Sequence, residues 1–207
     1  MPRPRSLTAA DLATAALAVL DRAGLSALTM RAVAKELGTA TMALYRYVAD
    51  REALEVLIVD QVYAAIDSSL PPGVSWREGL TILLERSRAA VAAHPETVPL
   101  VLRHRQSAPN SLRMIETMLA VLADGGFAGR DRVLAQRTLV AFLLGALQNE
   151  HYAALSGQGT ATMAALDTDT FPLLTETATE ARTISSDDEF RTGLDIVLRG
   201  LNYPAHD

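Results

Sequence analysis

The side chains best suited to act at a surface lie between Thr29 and Arg51. Within that stretch, residues 39–48 read TATMALYRYV, with small residues first and Tyr-Arg-Tyr last. Turning the segment as a helix at about 100° per residue, with Leu44 inward, carries Ala40 and Val48 to within about 40° of it. Met42 and Arg46 then point outward, Ala43 and Tyr45 flank them, and Thr41 and Tyr47 lie on the edges. Small side chains at the start of a helix let its backbone come close to another surface. In a DNA major groove, Thr41, Met42 and Ala43 would reach base edges, including thymine methyl groups, and Arg46 would meet guanine O6/N7 or a phosphate. The hydroxyls of Tyr45 and Tyr47 can donate to phosphates, which set position rather than sequence. On pattern alone, a packed amphipathic helix with a solvated Arg46 stays open beside this reading.

The elements that would position these residues are helical throughout. Thr8 caps a first helix with Asp11 in its first turn, and Leu12, Ala16, Leu17, Leu20 and Ala23 recur along it. Gly24 fits a left-handed helix end. Thr29 caps a second, short helix with Met30, Val33, Ala34 and Leu37 on one face, and Gly38 breaks it. Two short helices joined by a tight glycine turn make a helix-turn-helix. Asp50 caps a longer helix with Leu54, Leu57, Ile58, Ala65 and Ile66 on one side. After the break at 71–73 (PPG), Ser75 and Glu78 form an S-x-x-E capping box ahead of Trp76, Leu80, Leu83, Leu84, Ser87 and Val91. A short piece over 96–104 follows, then a helix through Leu112, Ile115, Leu119 and Leu122 that ends at Gly125-Gly126. Residues 131–156 form the most apolar helix, 157–170 read as a loop, and 171–182 as a weak helix. Ser186 and Glu189 give a second capping box before the stripe Phe190, Leu194, Val197, Leu198 and Leu201. The expected class is all-α, with no internal repeat and no heptad array.

Composition narrows the function. Apolar residues make up 49% of the 207, enough for a sizeable core. There are no cysteines, which excludes disulfides, zinc–thiolate sites and cysteine nucleophiles. The N-terminus has no apolar core of signal-peptide length, and the longest apolar run, Leu139 to Leu147, is far short of the about 20 residues a membrane helix needs. A cytoplasmic protein without membrane contact is expected. The net charge of −5 is uneven. Residues 1–51 carry seven Lys/Arg against four Asp/Glu, and the remainder twelve against twenty. A basic N-terminal module can meet phosphate while an acidic body does something else. No catalytic constellation stands out: there is no G-x-S-x-G, P-loop or Rossmann glycine pattern, and His94, His104, His151 and His206 never pair at i, i+4 spacing. Neither a metal nor a cofactor is expected. Glu150 beside His151 is the one faint acid–base pair, and an all-α small-molecule-binding protein or enzyme without DNA binding is the competing reading.

Residues 8–55 resemble the DNA-binding domain of TetR-family transcriptional regulators. The likeness rests on Gly24-Leu25, Leu28-Thr29-Met30-Arg31, Ala34-Lys35-Glu36-Leu37-Gly38, and Leu44-Tyr45 followed by Tyr47-Val48 and Leu54. It implies phosphate contacts for Thr29 and Tyr45, a base or backbone contact for Arg31, recognition positions for Thr41, Met42, Ala43, Arg46 and Tyr47, and a phosphate contact for Arg51. Arg3 and Arg5 lie on a Pro-containing arm that is expected either to reach DNA or to be a basic tail. The segments SWREGLTILLERSRAAVAAHPE, ETMLAVLADGGF and LVAFLLGALQNEHYAAL further resemble the C-terminal domain of the tetracycline-repressor branch.

That resemblance implies a DNA-binding domain over 1–50, a connecting helix from 51, and a ligand-binding and dimerisation domain over 51–207. It implies a homodimer formed through the helix at 131–156 and the last helix, a palindromic operator in double-stranded DNA, and release of a repressor by a small-molecule effector. Polar residues set in apolar helices are the candidates for the effector pocket: His104, Arg105, Gln148, Glu150 and His151, with Gln106 and Asn149 beside them. The family's drug-binding histidine and threonine fall near Leu102 and Arg105, so tetracycline is not the expected effector. The residues around Leu44-Tyr45 also differ from those of the tetracycline repressor, which implies a different operator.

Overall fold

The computed structural model describes residues 7–201. Arg3 and Arg5 lie outside them, as does His206. Among the described residues there are eleven α-helices and no strand: α1 (Ala9–Ala23), α2 (Met30–Glu36), α3 (Thr41–Leu44), α4 (Arg51–Ala64), α5 (Trp76–Ala92), α6 (Val98–His104), α7 (Pro109–Asp124), α8 (Gly129–Tyr152), α9 (Gln158–Ala164), α10 (Pro172–Ala181) and α11 (Ser186–Gly200). The chain divides into two compact units. One holds the chain up to Pro72 together with Arg86–Ala120, and the other holds Gly73–Glu85 together with the chain from Val121 on. No described helix is long and apolar enough to cross a membrane.

In the first unit α1 packs on α2 and α4, α2 on α3, and α4 on α6. Local chemistry starts α1, α2 and α4 where the sequence places them. Thr8 and Asp11 form a reciprocal capping box on α1, Thr29 Oγ1 accepts from Ala32 N at 3.1 Å, and Asp50 Oδ1 accepts from Ala53 N at 2.8 Å. Leu12, Leu20, Leu28, Leu44, Leu54 and Ile58 are fully buried in this unit. Gly24 does carry a positive φ of 74°, but its ψ of 174° is extended, so it is not the left-handed cap expected. α4 ends at Ala64, which leaves Ala65 exposed. On α7 the buried stripe is Ser111, Met114, Met118 and Leu122; Leu112 is 46% exposed, because the methionine row offers an equally apolar i, i+3/i+4 face.

In the second unit α8 packs on α11, and α9 on α10. Two close approaches depend on small residues. A Cβ on Gly125 would lie 2.6 Å from Trp76 Cγ, where Trp76 meets Phe127 edge-on at 5.1 Å. A Cβ on Gly193 would lie 2.9 Å from Phe142, which stacks beside Phe190. Two expectations are corrected here. Residues 158–164 are helical, not loop: Gly157 and Gly159 weaken the local signal, but packing of α9 on α10 outweighs it. The last helix is capped by Ser185, whose Oγ accepts from Asp188 N at 3.1 Å, one residue before the Ser186–Glu189 box expected.

Candidate nucleic-acid interface

α2 and α3 are joined by a turn in which Gly38 has φ 64°. Thr39 N donates to Ala34 O at 2.9 Å and Gly38 N to Lys35 O at 3.1 Å, the paired bonds of a Schellman motif. The turn therefore satisfies the last carbonyls of α2 while reversing the chain, and a residue with a Cβ would be strained at position 38. The sequence fixes α3 less well. It is a single turn, Thr41–Leu44, with Tyr45 as its C-cap, and residues 45–47 continue as a turn. Ala40 is its extended N-cap (φ −75°, ψ 142°) and is exposed, not buried, because the helical rotation does not begin until Thr41. Val48 is still buried, since Val48 N donates to Leu44 O at 3.2 Å and keeps it on the same side as Leu44.

The outward set has the expected directions. Met42 is 76% exposed, Arg46 and Arg31 are exposed, Tyr45 is 46% exposed, and Thr41 and Ala43 are half-buried. Among the described residues neither Arg31 nor Arg46 enters an ion pair. Thr29 is exposed, and its oxygen caps α2 while its proton remains available to an acceptor. Tyr47 differs. It is half-buried and its hydroxyl donates to the Leu7 carbonyl, so the proton assigned to a phosphate instead ties the segment before α1 to the end of the recognition turn.

Arg51 is also less free than its exposure suggests. Its Nε donates to Glu55 Oε1 at 2.8 Å and its NH2 to the Leu25 carbonyl at 3.4 Å, while the side chain stays 48% exposed. Glu55 is buried, and its other oxygen meets His104 Nε2 at 2.9 Å and Arg103 NH1 at 3.2 Å. Burial pushes the Glu55 carboxyl up, but the hydrogen bonds from His104 and Arg51 and the charges of Arg51 and Arg103 outweigh it and hold the group below its ordinary range. Reading the sequence missed Glu55. Its signal was a carboxylate on the apolar side of α4, four residues after an arginine.

The effector candidates fall into two groups. His104 is 3% exposed and bonded to Glu55, and Arg105 donates to the Leu102 carbonyl at 2.6 Å. Near them, Asp60 Oδ1 accepts from Asn110 N at 2.6 Å, and burial pushes the Tyr63 hydroxyl up against the opposing effects of Ser111 and Arg105. Gln148, Glu150 and His151 lie at the end of α8 in the second unit. Gln148 is exposed, Glu150 and His151 are half-buried, and the His151 ring meets Tyr152 edge-on at 4.3 Å.

A helix-turn-helix with an outward second helix and an exposed arginine just after it, followed by a helical body, defines a class of DNA-binding regulators. Comparison with known proteins gives the family. Residues 12–55 match the model for bacterial regulatory proteins of the tetR family, and residues 70–204 match the tetracyclin repressor-like C-terminal domain. The chain belongs to the TetR family. It is 31% identical over 191 residues to the class D tetracycline repressor protein of Escherichia coli, covering 90% of this chain and 85% of that protein. It is 28% identical over 144 residues to an HTH-type transcriptional regulator of Saccharopolyspora erythraea, a match that covers 70% of this chain and 61% of that longer protein. The crystal structure of the Streptomyces coelicolor TetR family protein ActR in complex with (S)-DNPA superposes with a TM-score of 0.81 at 27% identity, covering 94% of this chain and 96% of that one.

Proposed function

We propose that the chain is a DNA-binding transcriptional regulator, a cytoplasmic homodimeric repressor that holds a palindromic operator through α3 and leaves it when a small-molecule effector binds. The observation that carries this reading is the outward row on and after α3, with Met42 76% exposed and Arg46 beyond it, mounted on the Schellman turn at Gly38. Residues 1–50 serve as the DNA-binding domain, and the chain from 51 binds effector and partner. Thr29, Tyr45 and Arg51 meet phosphates. Arg31, Thr41, Met42, Ala43 and Arg46 face the groove, and Tyr47 positions the edge of the segment.

A two-fold operator calls for a two-fold dimer, the commonest closed assembly. Exposed apolar side chains on the packed pair α8 and α11 support it: Val133 is 55% exposed, Leu134 42% and Ile196 60%. Such surface is covered at little cost by a second copy. A small organic effector follows from likeness to a neighbour solved with (S)-DNPA. His104 and Arg105 in the first unit, and Gln148, Glu150 and His151 in the second, remain separate effector candidates. The reading assigns the chain no catalysis.

An electrophoretic shift with duplexes from the intergenic regions flanking the gene tests the reading, combined with sedimentation of the free protein. A specific shift by a dimer supports it. The absence of any specific shift, or a monomer that shifts DNA, counts against it.

A further inference from the structure

Glu55 is a buried carboxylate at 4% exposure that receives hydrogen bonds from two helices. On α4, Arg51 Nε donates to its Oε1 at 2.8 Å. From α6, His104 Nε2 and Arg103 NH1 meet Oε2 at 2.9 and 3.2 Å. A carboxylate this deep is tolerated because its charge is shared among these partners. The partners are not equivalent. His104 is buried with it, Arg103 is 63% exposed on α6, and Arg51 sits in the first turn of α4 on the face assigned to phosphate.

A carboxylate within hydrogen-bond reach of a guanidinium weakens the field that the cation offers a second anion, and other cations on the same carboxylate restore it. We propose that Glu55 sets DNA affinity by competing with an operator phosphate for Arg51, and that Arg103 and His104 of α6 decide how strongly it competes. The inference rests on the DNA-binding reading and on Arg51 as a phosphate contact. With both α6 donors in place, the carboxylate is shared and Arg51 keeps NH groups for phosphate. With the donors withdrawn, Glu55 has Arg51 alone and draws it off the backbone. α6 is thereby coupled to DNA affinity through one carboxylate.

The test is fluorescence anisotropy of the full-length chain with a flanking intergenic duplex over a range of salt. In Glu55→Gln the amide can still accept from Arg51 and pair with His104 Nε2, so the packing is preserved. This variant is expected to bind DNA roughly three- to tenfold more tightly. Arg51→Gln is expected to weaken binding and to reduce the salt slope by about one. In the Arg51→Gln background, Glu55→Gln is expected to change nothing. Arg103→Gln is expected to weaken binding severalfold in the native background, and to have no effect in either the Glu55→Gln or the Arg51→Gln background. The last pairing tests the proposal even if Glu55→Gln fails to fold.

Equal effects of Glu55→Gln with and without Arg51 would show a scaffold role and overturn the proposal, as would unchanged binding by Glu55→Gln. A native chain that binds the duplex as well as Arg51→Gln does overturns this inference alone. A native chain that binds no duplex overturns the DNA-binding reading beneath it.

Discussion

Arg46 and Arg51 lie five residues apart, and the fold treats them differently. Arg46 leaves the recognition turn exposed and without an ion pair among the described residues. Arg51 is folded back onto Glu55 and the Leu25 carbonyl. The difference comes from where each side chain finds its neighbours. Around Arg46 the neighbours are local: Leu44 and Val48 go into the core, and a position two residues away, about half a helical turn, sends Met42 and Arg46 the other way. Arg51 is held by Glu55, and that carboxylate is in turn bonded by Arg103 and His104, about fifty residues along the chain, brought in by packing of α6 on α4. A free cation can meet any phosphate with its full charge. A cation shared with a buried carboxylate can be tuned by whatever else that carboxylate holds.

The largest effect is expected on the inner side of α3. Leu44 is fully buried, so Leu44→Ala is expected to cost about 2–5 kcal/mol of stability in chemical denaturation and to abolish DNA binding with it. Arg46→Ala should do the opposite. It is expected to leave the denaturation midpoint unchanged and to lose about 1–3 kcal/mol of discrimination between the operator and a scrambled duplex. If stability falls as much in Arg46→Ala as in Leu44→Ala, the outward assignment is wrong. Thr29→Ala removes the cap of α2 and is expected to cost about 1 kcal/mol in thermal or denaturant unfolding, since Ala32 N loses its side-chain acceptor.

The smallest effect concerns acid. Glu55 titrates below its ordinary value of 4.5 in the folded chain, so its stabilising contribution is complete above that pH and is lost as pH falls through the depressed value. Unfolding measured against pH should show the gap between the native chain and Glu55→Gln narrowing below pH 4.5. A gap that stays constant would mean that the carboxylate's charge is not what the fold uses.

How far the sequence could be read follows the same division. Caps at Thr8, Thr29, Asp50 and Ser75 were legible because a cap is a contact across three residues. The outward direction of Met42 and Arg46 was legible for the same reason. The length of α3 was not: nothing local to Ala40 says that the helix starts one residue later. α9 was hidden because two glycines speak against a helix that packing on α10 sustains. Tyr47 and Glu55 were misjudged or missed because their partners, Leu7 and His104, are remote in sequence. Exposed apolar residues such as Val133 and Ile196 were legible as apolar but not as exposed, since a stripe records which faces avoid water without saying what covers them.

The proposed function assigns the reading of duplex DNA to the outward face of α3 and the turn that follows. Competitive anisotropy titration of a flanking intergenic duplex against a scrambled duplex of equal length, with salt varied, tests it most directly. The expected result is a clear preference of the native chain for the flanking duplex, affinity that falls steeply with salt for both duplexes, and loss of the preference but not of the salt dependence in Arg46→Ala. Equal binding of both duplexes by the native chain, or an undiminished preference in Arg46→Ala, would contradict it.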